Sequence, residues 1–130
     1  MLYTRCIFHP FDREQEGVRI SVMSRHTLSD GKTRDPRITP ATYDLWKPRF
    51  APPDRLVGDW YKRGLLWEDF ERRYLDYLGT IEREVFALAA NAVEQSLTVL
   101  CIEESPRRCH RRLLAEECQR LIPRLSIRHL

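Results

Sequence analysis

The residues most able to do chemistry lie near the carboxyl end of the chain. There an apolar run over 97–102 is followed by two acids, a Ser-Pro pair and a basic segment. This order predicts a strand, a turn and a final long helix over 109–122, with Ser105 as a candidate helix N-cap and Pro106 at the first position. Ligands bind outside the carboxyl ends of parallel strands, so we expect a site at this junction. The candidate residues there are Glu103, Ser105, Cys109, His110 and Arg111.

These residue types favour an anionic ligand. A helix N-terminus offers free backbone N–H groups and the positive end of the helix dipole, which favour an anion by roughly 0.3–2 kcal/mol. Arg111, together with Arg25 at the end of the second predicted strand, would add charge for a phosphate-bearing or nucleotide-like molecule. Its titratable ring gives His110 a possible role in proton transfer, with Glu103 as the partner. Packing roles stay open: His110 as a satisfied buried histidine, and Arg111 as an ion-pair partner of Glu103 or Glu104.

The cysteines allow a second kind of chemistry. Cys109 beside basic residues at a helix N-terminus predicts a lowered thiol pKa and a possible nucleophile, although a buried packing cysteine is the alternative. The Cys-x5-Arg spacing of cysteine phosphatases runs from Cys101 to Arg107. The intervening acids would repel a phosphate and Pro106 has no N–H to donate, so this spacing fits that chemistry badly.

Neither a metal nor another cofactor is predicted. Cys118 lies about 13 Å along the helix from Cys109 at roughly 1.5 Å per residue, so these cysteines do not form the close pairs of structural zinc sites. All four cysteines fall in predicted strands or helix rather than loops, which favours reduced thiols.

The bulk properties indicate one ordinary globular domain. A chain of 130 residues with 42% hydrophobic residues can bury a single core. No apolar run is long enough to span a bilayer and no secretory signal is evident, so we expect no membrane partner and a cytoplasmic protein. The net charge of +3 is too small to argue for nucleic acid by itself.

The hydrophobic patterns predict a single α/β domain over 1–130 with a small, mostly parallel sheet flanked by helices. The predicted strands are 2–8, 18–24, 97–102 and 125–129, and the predicted helices are 54–61, 67–78, 80–95 and 109–122. Gly79 is expected to end one helix and Thr80 to cap the next. A Pro-rich irregular insertion at about 26–53 is expected to hold one short helix over 41–47, capped by Thr39.

The segment Leu100–Glu116, LCIEESPRRCHRRLLAE, resembles the closing motif of the domain-of-unknown-function 488 family. That motif is an apolar strand, an acidic turn, Cys-His-Arg and a helix. Asp44–Trp46, Ala51-Pro52, Leu56–Trp60 and Trp67–Leu78 look like the YeaO-like branch, so the likeness covers most of the chain. That branch's Trp-Pro-Arg-Gly element does not follow Arg25 here. The resemblance implies a small α/β intracellular protein without an established reaction, and it places the motif on Cys109, His110 and Arg111.

Three functions are compatible with these residues. The first is a site for a small anionic ligand, with binding alone or with catalysis. The second is a nucleic-acid-binding module, which needs five arginines on one continuous surface: Arg25, Arg34, Arg37, Arg49 and Arg107. The third is a partner-binding scaffold without chemistry, which would show an exposed apolar patch around the tryptophans.

Overall fold

A five-stranded, all-parallel sheet forms the centre of the protein. The computed structural model describes residues 1–130. The strands are β1 (Leu2–Cys6), β2 (Val18–Ser21), β3 (Leu45–Trp46), β4 (Leu97–Cys101) and β5 (Ile127–His129). Their order in the sheet is β3-β2-β4-β1-β5, and every neighbouring pair is parallel. The prediction of a single α/β domain is therefore confirmed.

The longer helices share one core with one face of this sheet. The helices are α1 (Arg13–Glu16), α2 (Asp54–Lys62), α3 (Trp67–Thr80), α4 (Glu82–Glu94) and α5 (His110–Leu121), with a 3-10 turn at Pro48–Phe50. Side chains of α2 to α5 pack with Ile20, Val22 and Val99 in a cluster of 21 buried residues. None of the helices combines the length and the apolar character needed to cross a bilayer.

The second face of the sheet is covered by α1 and by the Pro-rich segment. Ile38 packs there with Met23, which follows β2, and with Leu100, which alternates along β4 with Val99 of the main core. The backbone carbonyl of Glu16 accepts a hydrogen bond from the Thr98 hydroxyl. All five residues of β4 are buried as a result, as expected of a strand covered on both faces.

The predicted short helix over 41–47 is wrong. Leu45 and Trp46 form β3 instead, because the backbone of this segment pairs with β2 rather than with itself. The Asp44 and Lys47 N–H groups donate to the carbonyls of Arg19 and Ser21. Long-range pairing therefore replaces the local helical hydrogen bonds.

The predicted caps at 79 and 80 are wrong, because α3 continues through Gly79 to Thr80. The Thr80 hydroxyl donates backwards to the Tyr77 carbonyl instead of capping α4. Ile81 alone separates the two helices and is the N-cap residue of α4.

The N-cap of α5 is Cys109, so the prediction of Ser105 as the cap is also wrong. Ser105 lies in the preceding turn, where its Oγ accepts from the Arg107 N–H. The side chain of Arg112 donates to the carbonyls of Pro106 and Arg107. These bonds tie the Arg112 side chain to the turn that precedes the helix.

Candidate functional site

A cavity of about 720 Å³ opens at the carboxyl ends of β2 and β4. Its walls come from Met23–Arg25 after β2, from Cys101–Glu103 after β4 and from the α2 residues Val57, Trp60 and Tyr61. Cys109 and His110 at the start of α5 also line it. The volume falls in the range of small-molecule sites, and the position is where parallel sheets bind ligands.

Three reactive side chains lie together in this cavity, and we call them the Cys–Cys–His centre. They are Cys101, Cys109 and His110, whose sulfur and ring nitrogen atoms all lie within 4.8 Å of one another. The Cys101 Sγ lies 3.7 Å from the His110 Nδ1. All three residues are buried, so their only approach for a ligand is through the cavity that they line.

The orientation of His110 is set by a backbone carbonyl. Its Nε2 lies 2.8 Å from the Val22 carbonyl oxygen. A carbonyl only accepts hydrogen bonds, so Nε2 carries the proton of the neutral ring and Nδ1 presents a lone pair. The Tyr74 ring packs edge-on against the imidazole at 5.5 Å between centroids. His110 is therefore aimed at Cys101 as a proton acceptor.

Arg111 is turned away from the cavity. Its side chain is fully buried and donates to the main-chain carbonyls of Glu103 at 2.5 Å and Glu104 at 3.2 Å. Its Nε has no hydrogen-bond partner. The expected contact with these two residues is thus made with their backbone oxygens rather than with their carboxylates. Arg111 holds the loop between β4 and α5, and it carries a positive charge next to the centre.

The electrostatics favour a thiolate on Cys101 rather than on Cys109. The hydrogen bond from the Cys109 thiol lowers the pKa of Cys101, helped by the backbone N–H groups of Glu103 and Ile102 and by the Arg111 charge. Burial raises the pKa of Cys109 well above its ordinary value. The prediction of a lowered pKa at Cys109 is wrong because its side chain is buried beneath the loop instead of facing solvent.

The spacing of the centre would also admit a metal ion. Two sulfurs and one imidazole nitrogen with an outer hydrogen bond to a carbonyl form a recognisable zinc ligand set. Cys118 takes no part in this set, since it lies elsewhere in the core near the Val85 carbonyl. A zinc ion held by two thiolates carries no net charge, so it would leave the buried Arg111 guanidinium without a counter-charge.

The rim of the cavity carries an excess of free positive charge. Arg25 pairs with Asp54 at 3.1 Å and Glu103 accepts a hydrogen bond from the Tyr61 hydroxyl. Asp54 is therefore paired with a cation, whereas Glu103 keeps its negative charge and Lys62 and Arg108 form no ion pair. The wall carries three basic side chains, Arg25, Lys62 and Arg108, against two acids. The sequence does not predict Lys62 as a residue of the cavity wall, because nothing in the neighbouring sequence distinguishes it from any exposed helical lysine.

The family model described as the active DUF488-N3 subclade, DUF488-N3a, matches residues 4–120 of the chain. The protein belongs to this family. The DUF488-N3 match spans every residue of the cavity wall and of the Cys–Cys–His centre. Comparison with curated proteins and with solved structures gave no match. The likeness to the 488 family is confirmed, and the assignment to the YeaO-like branch stays a prediction.

In this DUF488-N3 domain the structure brings most of the predicted site residues to one cavity. Arg25, Glu103, Cys109 and His110 line it, whereas Ser105 and Arg111 do not. Cys101, which the sequence does not place among the candidate binding residues, also belongs to the centre. The Glu103 carboxylate accepts a hydrogen bond from the Tyr61 hydroxyl, a long-range contact that the local sequence does not predict.

Proposed function

We propose that this DUF488-N3 protein binds a small phosphate-bearing or nucleotide-like anion in the cavity and acts on it through the Cys–Cys–His centre. The observation that carries this proposal is the charge of the wall. Its basic side chains outnumber its acids by three to two, and Lys62 and Arg108 form no ion pair that would compete with an anion. The N-terminus of α5 adds further attraction from the same opening, and Arg25 would contribute once the anion replaces Asp54 as its partner.

The centre supports catalysis in addition to binding. A histidine oriented towards a buried thiol is an arrangement used for proton transfer and nucleophilic attack. Glu103 lines the same cavity and is the carboxylate for acid–base work. The matching family model is described as an active subclade, which supports an enzyme over a binding protein. All four cysteines are free thiols, in keeping with the expected cytoplasmic setting.

The two other functions receive less support. Three of the five arginines needed for a nucleic-acid surface pair with acids: Arg25 with Asp54, Arg37 with Asp35 and Arg49 with Glu84. Two of the three tryptophans are partly buried, which weakens the case for a scaffold. Trp60 packs on Trp67 against the core, whereas Trp46 is 44% exposed and stacks on His26. We therefore favour the small anionic ligand.

The test is a calorimetric titration with inorganic phosphate, nucleoside monophosphates and sugar phosphates. We expect at least one of them to bind wild type. The double variant Lys62→Ala/Arg108→Ala should bind it about tenfold or more weakly, because a charged hydrogen bond contributes about 1.5–3 kcal/mol. Arg124→Ala removes an exposed arginine outside the cavity wall and should leave affinity unchanged. Failure of the whole panel to bind, or equal affinity in the double variant, would contradict the proposal.

A further inference from the structure

The buried charge of Arg111 requires a negative partner. The guanidinium is fully buried, and its hydrogen bonds go to two neutral carbonyls rather than to a carboxylate. A buried cation without a counter-charge is strongly unfavourable. One nearby group able to carry a compensating negative charge is the Cys101 sulfur, which is buried and lies within 4.8 Å of the Cys109 sulfur and of a His110 ring nitrogen. The Arg111 charge is among the causes that lower the pKa of this thiol.

We infer that Cys101 is the nucleophile of this protein, that His110 accepts its proton and that Cys109 stabilises the resulting thiolate. This inference rests on the proposed function, since the ligand in the cavity is the substrate. The geometry supplies each part. His110 Nδ1 lies 3.7 Å from the sulfur, and the Val22 carbonyl fixes the ring in the orientation that leaves Nδ1 free to accept.

The position of Glu103 selects the atom that is attacked. Its carboxylate lines the cavity beside Cys101, so a phosphate pressed against the sulfur would be repelled. The electrophile is therefore a carbon atom of the ligand, with the anionic group held at the rim by Lys62 and Arg108. The substrate class is an anionic molecule that carries an acyl or glycosyl carbon.

Water is the only reactant that the reaction needs besides the substrate. The thiol proton moves to His110 Nδ1, the sulfur forms a bond to the carbon, and the carbon–leaving group bond breaks. The leaving group takes the proton from His110. Water then attacks the same carbon, giving its proton to His110 or Glu103, and the carbon–sulfur bond breaks to restore the thiol after reprotonation.

Alkylation of the native protein tests this inference without knowledge of the substrate. Iodoacetamide forms a carbon–sulfur bond and releases iodide, and peptide mass spectrometry reports the rate at each cysteine. We expect Cys101 to react at least tenfold faster than Cys118 at neutral pH, although both are buried. Burial raises the pKa of Cys118 to about 12. Cys118 is therefore an internal control for the alkylation rate of a buried thiol without activating neighbours. The titratable and charged groups around Cys101 are Glu103, Cys109, His110, Arg111, Tyr61 and Tyr74.

Variants separate the roles of the neighbours. His110→Gln should slow Cys101 alkylation about tenfold and shift its pH profile to higher pH, whereas Cys109→Ser, which retains a donor, should have a smaller effect. Far-UV circular dichroism verifies that each variant folds. Three results would overturn the inference. The first is equal alkylation of Cys101 and Cys118, and the second is an unchanged pH profile of Cys101 alkylation in His110→Gln. The third is stoichiometric zinc that blocks alkylation until it is chelated. Because no ligand is used, the result is independent of the phosphate titration.

Discussion

Replacing Arg111 by methionine is expected to reduce the alkylation rate of Cys101 at neutral pH about tenfold or more. The substitution removes the buried positive charge that stabilises the thiolate, and a rise of one unit in the pKa of Cys101 corresponds to about 1.4 kcal/mol. The pH profile of alkylation should move towards higher pH as a result. The carbonyls of Glu103 and Glu104 also lose their donors, so the free energy of unfolding in urea should fall by about 2–4 kcal/mol.

Arg111→Lys is the matched control, because lysine keeps the charge and loses the planar arrangement that reaches both carbonyls. It should retain more Cys101 reactivity than the methionine variant while being destabilised. If Cys101 in Arg111→Met were alkylated at the wild-type rate, the guanidinium would have no effect on the sulfur and would only support the loop.

Glu16→Ala is expected to lower the free energy of unfolding by about 3–5 kcal/mol, as removal of one partner of a buried ion pair does. The Glu16 carboxylate is 1% exposed and accepts two hydrogen bonds from Arg5, at 2.7 and 3.2 Å, and one from the Asp12 N–H. Its charge also offsets that of Arg19, a fully buried guanidinium whose two terminal nitrogens lack hydrogen-bond partners. Urea unfolding followed by circular dichroism gives the value.

The control for Glu16 is Glu84→Ala, which breaks the exposed pair with Arg49. Exposed ion pairs are screened by solvent and contribute little, so this variant should unfold close to wild type. If both substitutions lowered the free energy of unfolding by the same amount, the buried polar contacts of Glu16 would not be a special source of the protein's stability.

The sequence predicts the elements that have a strong local pattern. The apolar stripe of Trp67, Phe70 and Tyr74 predicts α3, and the continuous apolar run from Leu97 predicts a strand buried on both faces. The carboxyl end of that strand and the helix after it also locate the site. Each of these features follows from the spacing of residues within one short segment.

The remaining features depend on contacts between distant segments. Leu45 and Trp46 form a strand because they pair with β2. Local residue propensities do not predict this pairing. The orientation of Arg111 depends on its hydrogen bonds to the carbonyls of Glu103 and Glu104 in the folded loop. The nearness of Cys101 to His110 also requires the loop between β4 and α5 to fold back, which the spacing of residues does not predict.

The most direct test of this account is protection of Cys101 by the bound ligand. The anion that binds best in the calorimetric titration is added at increasing concentration while iodoacetamide alkylates the native protein. We predict that labelling of Cys101 slows in a saturable way with a midpoint equal to the calorimetric Kd, while labelling of Cys118 is unchanged. Full occupancy by the anion with no change in the rate at Cys101 would contradict the account, because the ligand would then occupy a different part of the protein.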